Sequence, residues 1–191
     1  MSLPPLTPDQ QVKPPHFELR ISLLFAAIYL SLGIHLPYFP LWLDHIGFGP
    51  AEIAVILAAP MFLRMATTPL IAAYADRAGD RANVLIAVVG ASLFLSLGYF
   101  LPASYAVVLG VSVLLAVVWA PQGPLADSLA LSGVRRYGSD YSRMRIWGSA
   151  SFLFANVVGG MLLSVTGVQM APALMTAGLA GCLFATLFIP R

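Results

Sequence analysis

Apolar residues along the chain gather into about six stretches, 19–43, 53–74, 82–101, 105–131, 146–165 and 170–189, separated by short polar segments. A bilayer core about 30 Å thick is crossed by a helix of roughly 20 apolar residues. Inside lipid, a helix also satisfies its own backbone groups. The pattern therefore predicts an all-α fold, a polytopic membrane helical bundle of about six transmembrane helices. Residues 1–18 (MSLPPLTPDQQVKPPHFE) are polar and proline-rich, without the basic-then-apolar order of a cleavable signal. Two regions are expected: a disordered cytoplasmic tail over 1–18 and a six-helix transmembrane domain over 19–191.

Composition agrees. Of the 191 residues, 59% are hydrophobic and 9% charged, against roughly 25% charged in an ordinary soluble domain. A net charge of +2 is too small to suggest nucleic acid, and the basic residues read better as topology markers. Lys13 and Arg20 precede the first span, and Arg77 and Arg81 follow the second. Arg135, Arg136, Arg143 and Arg145 surround the turn between the fourth and fifth spans, and Arg191 follows the sixth. The opposite loops (DHIGFGPAE, PAS and TGVQ) carry no Lys or Arg. By the positive-inside rule, both termini of this multi-pass chain are expected on the cytoplasmic side of the cell (inner) membrane. The single Cys182 lies in an apolar segment and reads as a small packing residue.

An internal echo suggests a repeat. Pro37-Tyr-Phe-Pro40 falls late in span one and Pro121-Gln-Gly-Pro124 late in span four. The two spans run in opposite directions, as an inverted three-plus-three repeat would require. Proline removes a backbone donor, and breaks in corresponding helices of two repeats point to a substrate site between them. Pro37, Pro40, Pro121 and Pro124 are therefore expected helix breaks; ordinary kinks are the alternative. Ser151, Ala155 and Gly159, and likewise Ala177 and Gly181, recur at helical spacing and favour close helix contacts.

Ionisable residues within the spans are the candidate site. Asp127 and Arg145 lie equidistant from Arg136 in the hairpin between spans four and five, which places them at similar depth. They are expected to face one another as an ion pair, either responsive to protons and substrate or static, with both side chains reaching the interface. Arg64 lies well inside span two without an acidic neighbour. It either binds an anionic substrate through its guanidinium fork or pairs with a carboxylate elsewhere. His35 could relay protons or hydrogen-bond substrate; a neutral core histidine is the alternative.

The loop after span two, Ala72-Ala-Tyr-Ala-Asp76-Arg77-Ala-Gly79-Asp80-Arg81, resembles the signature between helices two and three of the major facilitator superfamily, G-x-x-x-D-R-x-G-R-[RK]. Asp76, Arg77, Gly79 and Arg81 match; Ala72 and Asp80 depart from it. The resemblance implies that these residues form a conformational latch. The stretch from Asp127 through Arg143-Met-Arg145-Ile-Trp147-Gly148-Ser149 is similar to the phenylpropionate and sugar proton symporters, where a matching acid and arginine pair at the substrate site. Trp42-Leu43…Ile46-Gly47 and Arg64 look closer to the phenylpropionate branch.

Members of that superfamily have about twelve helices in two halves, so the resemblance implies one half of such a fold. The function it implies is half of a secondary active transporter, moving a small organic anion, aromatic or otherwise, with protons by alternating access. A second six-helix half, from the same or another chain, would complete the path. The alternative is a non-transporting six-helix subunit or truncated remnant. No motif of an intramembrane enzyme and no metal or cofactor signature is present in the sequence, so neither catalysis nor a cofactor is expected.

Overall fold

The computed structural model describes residues 12–78 and 80–189, Ala78 by its backbone alone. Most of the expected tail, 1–11, and the latch glycine Gly79 lie outside the described residues. Seven α-helices follow in order: α1 (Phe17–His45), α2 (Pro50–Ala78), α3 (Arg81–Ser96), α4 (Tyr105–Trp119), α5 (Gln122–Tyr137), α6 (Tyr141–Thr166) and α7 (Ala171–Thr186). One-turn 3-10 segments, Leu97–Phe100 and Val168–Met170, extend α3 and precede α7. Together they make the six membrane-length spans expected, with α4 and α5 sharing the fourth.

Three of the helices, α3, α4 and α6, start where a side chain satisfies a first-turn amide, which lipid cannot do. Asp80 accepts from the Asn83 amide (3.0 Å), Ser104 from Val107 (3.3 Å) and Asp140 from Arg143 (3.2 Å). At the end of α5, Gly138 adopts the left-handed conformation (φ 66°). This terminates the helix and allows the short turn to α6. Asp80, a departure from the superfamily signature, is thus the N-cap of α3.

Helix α1 occupies the centre, with 44% of its apolar window buried against 11% for α2. It packs chiefly on α6 and α7, while α2 packs on α4, and α3 packs on α4 and α7. Exchange of spans one to three with spans four to six turns the α1–α6 contact into the α4–α2 contact, and the α1–α7 contact into the α4–α3 contact. The α3–α7 contact maps onto itself. Because successive spans alternate in direction, the three-plus-three repeat is inverted.

The α1–α6 seam is tight because small residues line it. A Cβ on Gly33 would lie 2.7 Å from the Phe152 carbonyl oxygen and 2.9 Å from the Ala155 Cβ. Ser151 donates across the seam to the Ala26 carbonyl (2.6 Å), and the Tyr38 hydroxyl donates to the Asn156 carbonyl. The predicted stripe on α6 is therefore an inner contact. On α7 the contact falls instead on Gly178, whose absent Cβ leaves room for Ser31, whereas Ala177 and Gly181 are exposed.

The proline breaks divide. Helix α1 is continuous through Pro37 and Pro40, and α2 through Pro60 and Pro69, so the break expected at the first pair does not occur. Adjacent helices hold a proline-bearing helix together when they pack close to it, and the α6 seam brackets this part of α1. At Pro121 the span does break: α4 ends at Trp119 and α5 begins at Gln122. Here the buried Gln122 amide turns inward, donating to Ser92 Oγ (2.7 Å) and toward the Val118 carbonyl (3.5 Å). A side chain inserted into the helix ladder is a recognised cause of a break. Pro124 falls in the first turn of α5, where a missing N–H costs nothing.

The seam makes a prediction. Gly33→Ala is expected to cost about 1–3 kcal/mol through overpacking against backbone, while Gly181→Ala, with open space around it, stays within about 0.5 kcal/mol. Thermal unfolding of the two variants in detergent checks the difference.

Candidate functional site

The polar centre assembles from two helical pairs in facing register. On α6, Tyr141 and Arg145 are four residues apart and share a face; on α1, Phe25 and Tyr29 do the same. The α1–α6 seam sets the pairs opposite each other. The Tyr141 ring meets Phe25 edge-on at 6.2 Å, and the Arg145 guanidinium lies over the Tyr29 ring at 3.9 Å and, farther off, over the Phe25 ring at 5.5 Å. Helix α5 contributes Asp127, whose Oδ1 accepts a hydrogen bond from the Tyr141 hydroxyl at 2.8 Å.

The direct Asp127–Arg145 ion pair expected from the sequence is not formed. Salt bridges do form between Lys13 and Glu18 and between Arg81 and Asp76. The hairpin turns at Gly138–Asp140 rather than at Arg136, so Asp127 stands farther from the turn than Arg145. Tyr141 bonds Asp127 and lies within electrostatic reach of both. Tyr29 meanwhile holds the guanidinium by a cation–π contact. One amino group of that guanidinium, Nη1, is buried without a hydrogen-bond partner. Gly148 makes the arrangement possible: a Cβ there would come within 2.8 Å of Nη1 and 2.9 Å of the Tyr29 ring.

The other candidates stand apart from this centre. His35 stacks on Phe39 (4.7 Å) and tilts against Trp119 (4.8 Å) at the end of α4, its Nδ1 buried without a partner. Arg64 is exposed on α2 among Met61, Phe62, Leu63 and Met65, and no described side chain bonds to it. Of the residues expected to form a latch, Arg81 Nε donates to Asp76 Oδ1 at 2.8 Å, while Arg77 is exposed. Asp76 and Arg81 border a cavity of about 330 Å³ that also reaches Arg136 and Tyr137 of α5. Among the described residues no three His, Cys, Asp or Glu side chains group as metal ligands would.

Sequence reasoning did not single out Tyr29 or Tyr141, and it named Gly148 only as part of the symporter-like stretch, without a packing role. The four-residue spacings were visible, but nothing in the sequence alone says that α1 presents its aromatic pair to α6. It also did not single out Glu18, which accepts from Lys13 and, at 2.8 Å, from the Ser139 hydroxyl, tying the start of α1 to the α5–α6 turn.

The bundle is matched over residues 16–190 by a family model described as the MFS_1 like family. The chain belongs to the MFS_1-like family. Among curated relatives it is 27% identical over 170 residues to a probable 3-phenylpropionic acid transporter of Escherichia coli (strain K12), covering 89% of this chain and 45% of that protein. It is 30% identical over 148 residues to a maltose permease of Geobacillus stearothermophilus, covering 78% of this chain and 36% of that protein. The chain thus spans less than half the length of these relatives. It is a multi-pass membrane protein of a transporter family, and its fold is the six-helix half of a major facilitator.

The stacked pair is testable within this bundle. A double-mutant cycle on Tyr29→Leu and Arg145→Met is expected to return a coupling of about 0.5–2 kcal/mol, read from chemical unfolding in detergent. A coupling near zero would mean that the ring does not hold the guanidinium.

Proposed function

We propose that this chain of the MFS_1-like family is half of a secondary active transporter that couples entry of a small organic anion to protons by alternating access. The carrying observation is the Arg145 guanidinium: braced on Tyr29 and leaving Nη1 without an acceptor, beside a carboxylate held by a separate tyrosine. A carboxylate substrate can take the open edge of Arg145 in a charge-assisted bond, and the faces of Phe25 and Tyr29 offer area to an apolar or aromatic body. The E. coli relative, named a probable 3-phenylpropionic acid transporter, makes an aromatic acid the first candidate.

In the resting site, Asp127 accepts the Tyr141 hydrogen bond with the Arg145 charge nearby. A bound anion would neutralise the guanidinium and set a second negative charge beside Asp127, which favours proton uptake there. Anion and proton then cross together. Arg64 faces out of this bundle from α2 and would meet the anion from the wall formed with a second six-helix half; His35 would offer its open Nδ1 along the same path. The basic loops support a reading with both termini on the cytoplasmic side of the inner membrane. There Asp76, Arg77, Gly79 and Arg81 would act as the latch between halves.

The test is uptake of labelled 3-phenylpropionate into liposomes holding this chain with a complementary half, driven by an inward proton gradient. Asp127→Asn is expected to abolish accumulation while leaving exchange of preloaded substrate. Full gradient-driven accumulation by that variant would overturn the scheme. Size separation in mild detergent addresses the rival, a non-transporting remnant, which would run as a monomer and bind no second half.

A further inference from the structure

We infer that Tyr141 is a positioning residue that holds the Asp127 carboxylate away from Arg145, so that the guanidinium keeps an open edge instead of being consumed in an internal ion pair. The inference deepens the proposed function and rests on it for the use of that edge. Three observations carry it. Asp127 takes its hydrogen bond from Tyr141 Oη at 2.8 Å rather than from the arginine, although both charges act on that hydroxyl. Arg145 is settled on the opposite side, over Tyr29 at 3.9 Å, with Nη1 buried and lacking an acceptor. Tyr141 is itself fixed, its ring edge-on to Phe25, whose face also lies below the guanidinium.

An aspartate and an arginine brought into one neighbourhood attract one another, the more so as the effective dielectric falls. The arrangement avoids collapse by giving each charge a separate aromatic partner: a hydroxyl for the anion and a ring face for the cation. Among the described residues, the charged and titratable groups acting on the Tyr141 hydroxyl are Asp127 from α5, Arg145 from α6 and Tyr29 from α1; Arg81 of α3 is engaged by Asp76.

The experiment uses the full chain in detergent micelles, with 3-phenylpropionate as the probe and isotope-labelled arginine for side-chain magnetic resonance, the Arg145 signal being assigned through Arg145→Lys. Tyr141→Phe keeps the ring against Phe25 and removes only the hydroxyl. The inference expects the Arg145 signal to move as Asp127 swings onto it, and probe binding to weaken about five- to tenfold, the worth of a partly screened ion pair. Adding Asp127→Asn to Tyr141→Phe removes the competing carboxylate, so both the signal and the binding should return toward the parent values. A merely structural role for Tyr141 would not be rescued by changing its neighbour. An Arg145 signal unmoved in Tyr141→Phe, or moved but not returned in the double variant, would overturn the inference. If the signal moves and returns while no variant binds the probe, the inference stands and the aromatic-acid reading falls.

Discussion

The α1–α6 seam is the constraint from which the rest follows. Its closeness depends on Gly33 lying against the Phe152 carbonyl and on two hydroxyl bonds, from Ser151 and Tyr38, that cross it. In lipid, helix association gains little from hydrophobic transfer and relies on close packing and interhelical hydrogen bonds. The seam uses both. By fixing the axial register of the two helices, it sets Phe25 against Tyr141 and Tyr29 against Arg145. The polar centre is therefore a consequence of packing some turns away from it, and a change at Gly33 would reach Arg145 without touching it.

Much of the fold was legible because bilayer thickness turns hydropathy into segment number. Six apolar runs gave six spans, with ends displaced by a few residues where caps such as Asp80 and Asp140 extend the helices beyond the apolar runs. Helix continuity at proline was not legible. The same Pro-x-x-Pro spacing leaves α1 unbroken and breaks span four, because the outcome depends on neighbours: a close partner helix in one case, an inward-turning Gln122 in the other. For the site, the hairpin argument brought Asp127 and Arg145 into one neighbourhood but mistook proximity for pairing. The aromatic residues that separate them are ordinary in any apolar run, and only the packed structure distinguishes Tyr29 and Tyr141 from the rest.

Asp127 and Arg145 also belong to different mechanical units. Asp127 rides on α5, a short segment divided from α4 at Pro121 and anchored to α3 through Gln122 and Ser92. Arg145 rides on α6, which is tied to α1. The Tyr141–Asp127 bond is a polar link between them. A shift of α5 relative to the α1–α6 pair would strain that bond first, which places the proton-binding candidate at a joint.

Energies explain why the separated arrangement can persist, and why Arg64 differs. An ionised side chain deep in a membrane helix costs about 2.5–3.5 kcal/mol on insertion scales. A hydrogen bond to a charged group contributes about 1.5–3 kcal/mol, which nearly covers Asp127. A desolvated cation–π contact contributes up to about 2 kcal/mol, and Arg145, one turn from the start of α6, bears less than the mid-helix cost. Arg64 has no such relief among the described residues. It stands midway along α2, a helix of 29 residues, and so about 20 Å along the axis from either end. That is too far for its side chain alone to span, and Met61, Phe62 and Met65 around it are exposed. Its charge must be met by a polar or anionic group brought to the outer face of α2, as the role proposed for it requires.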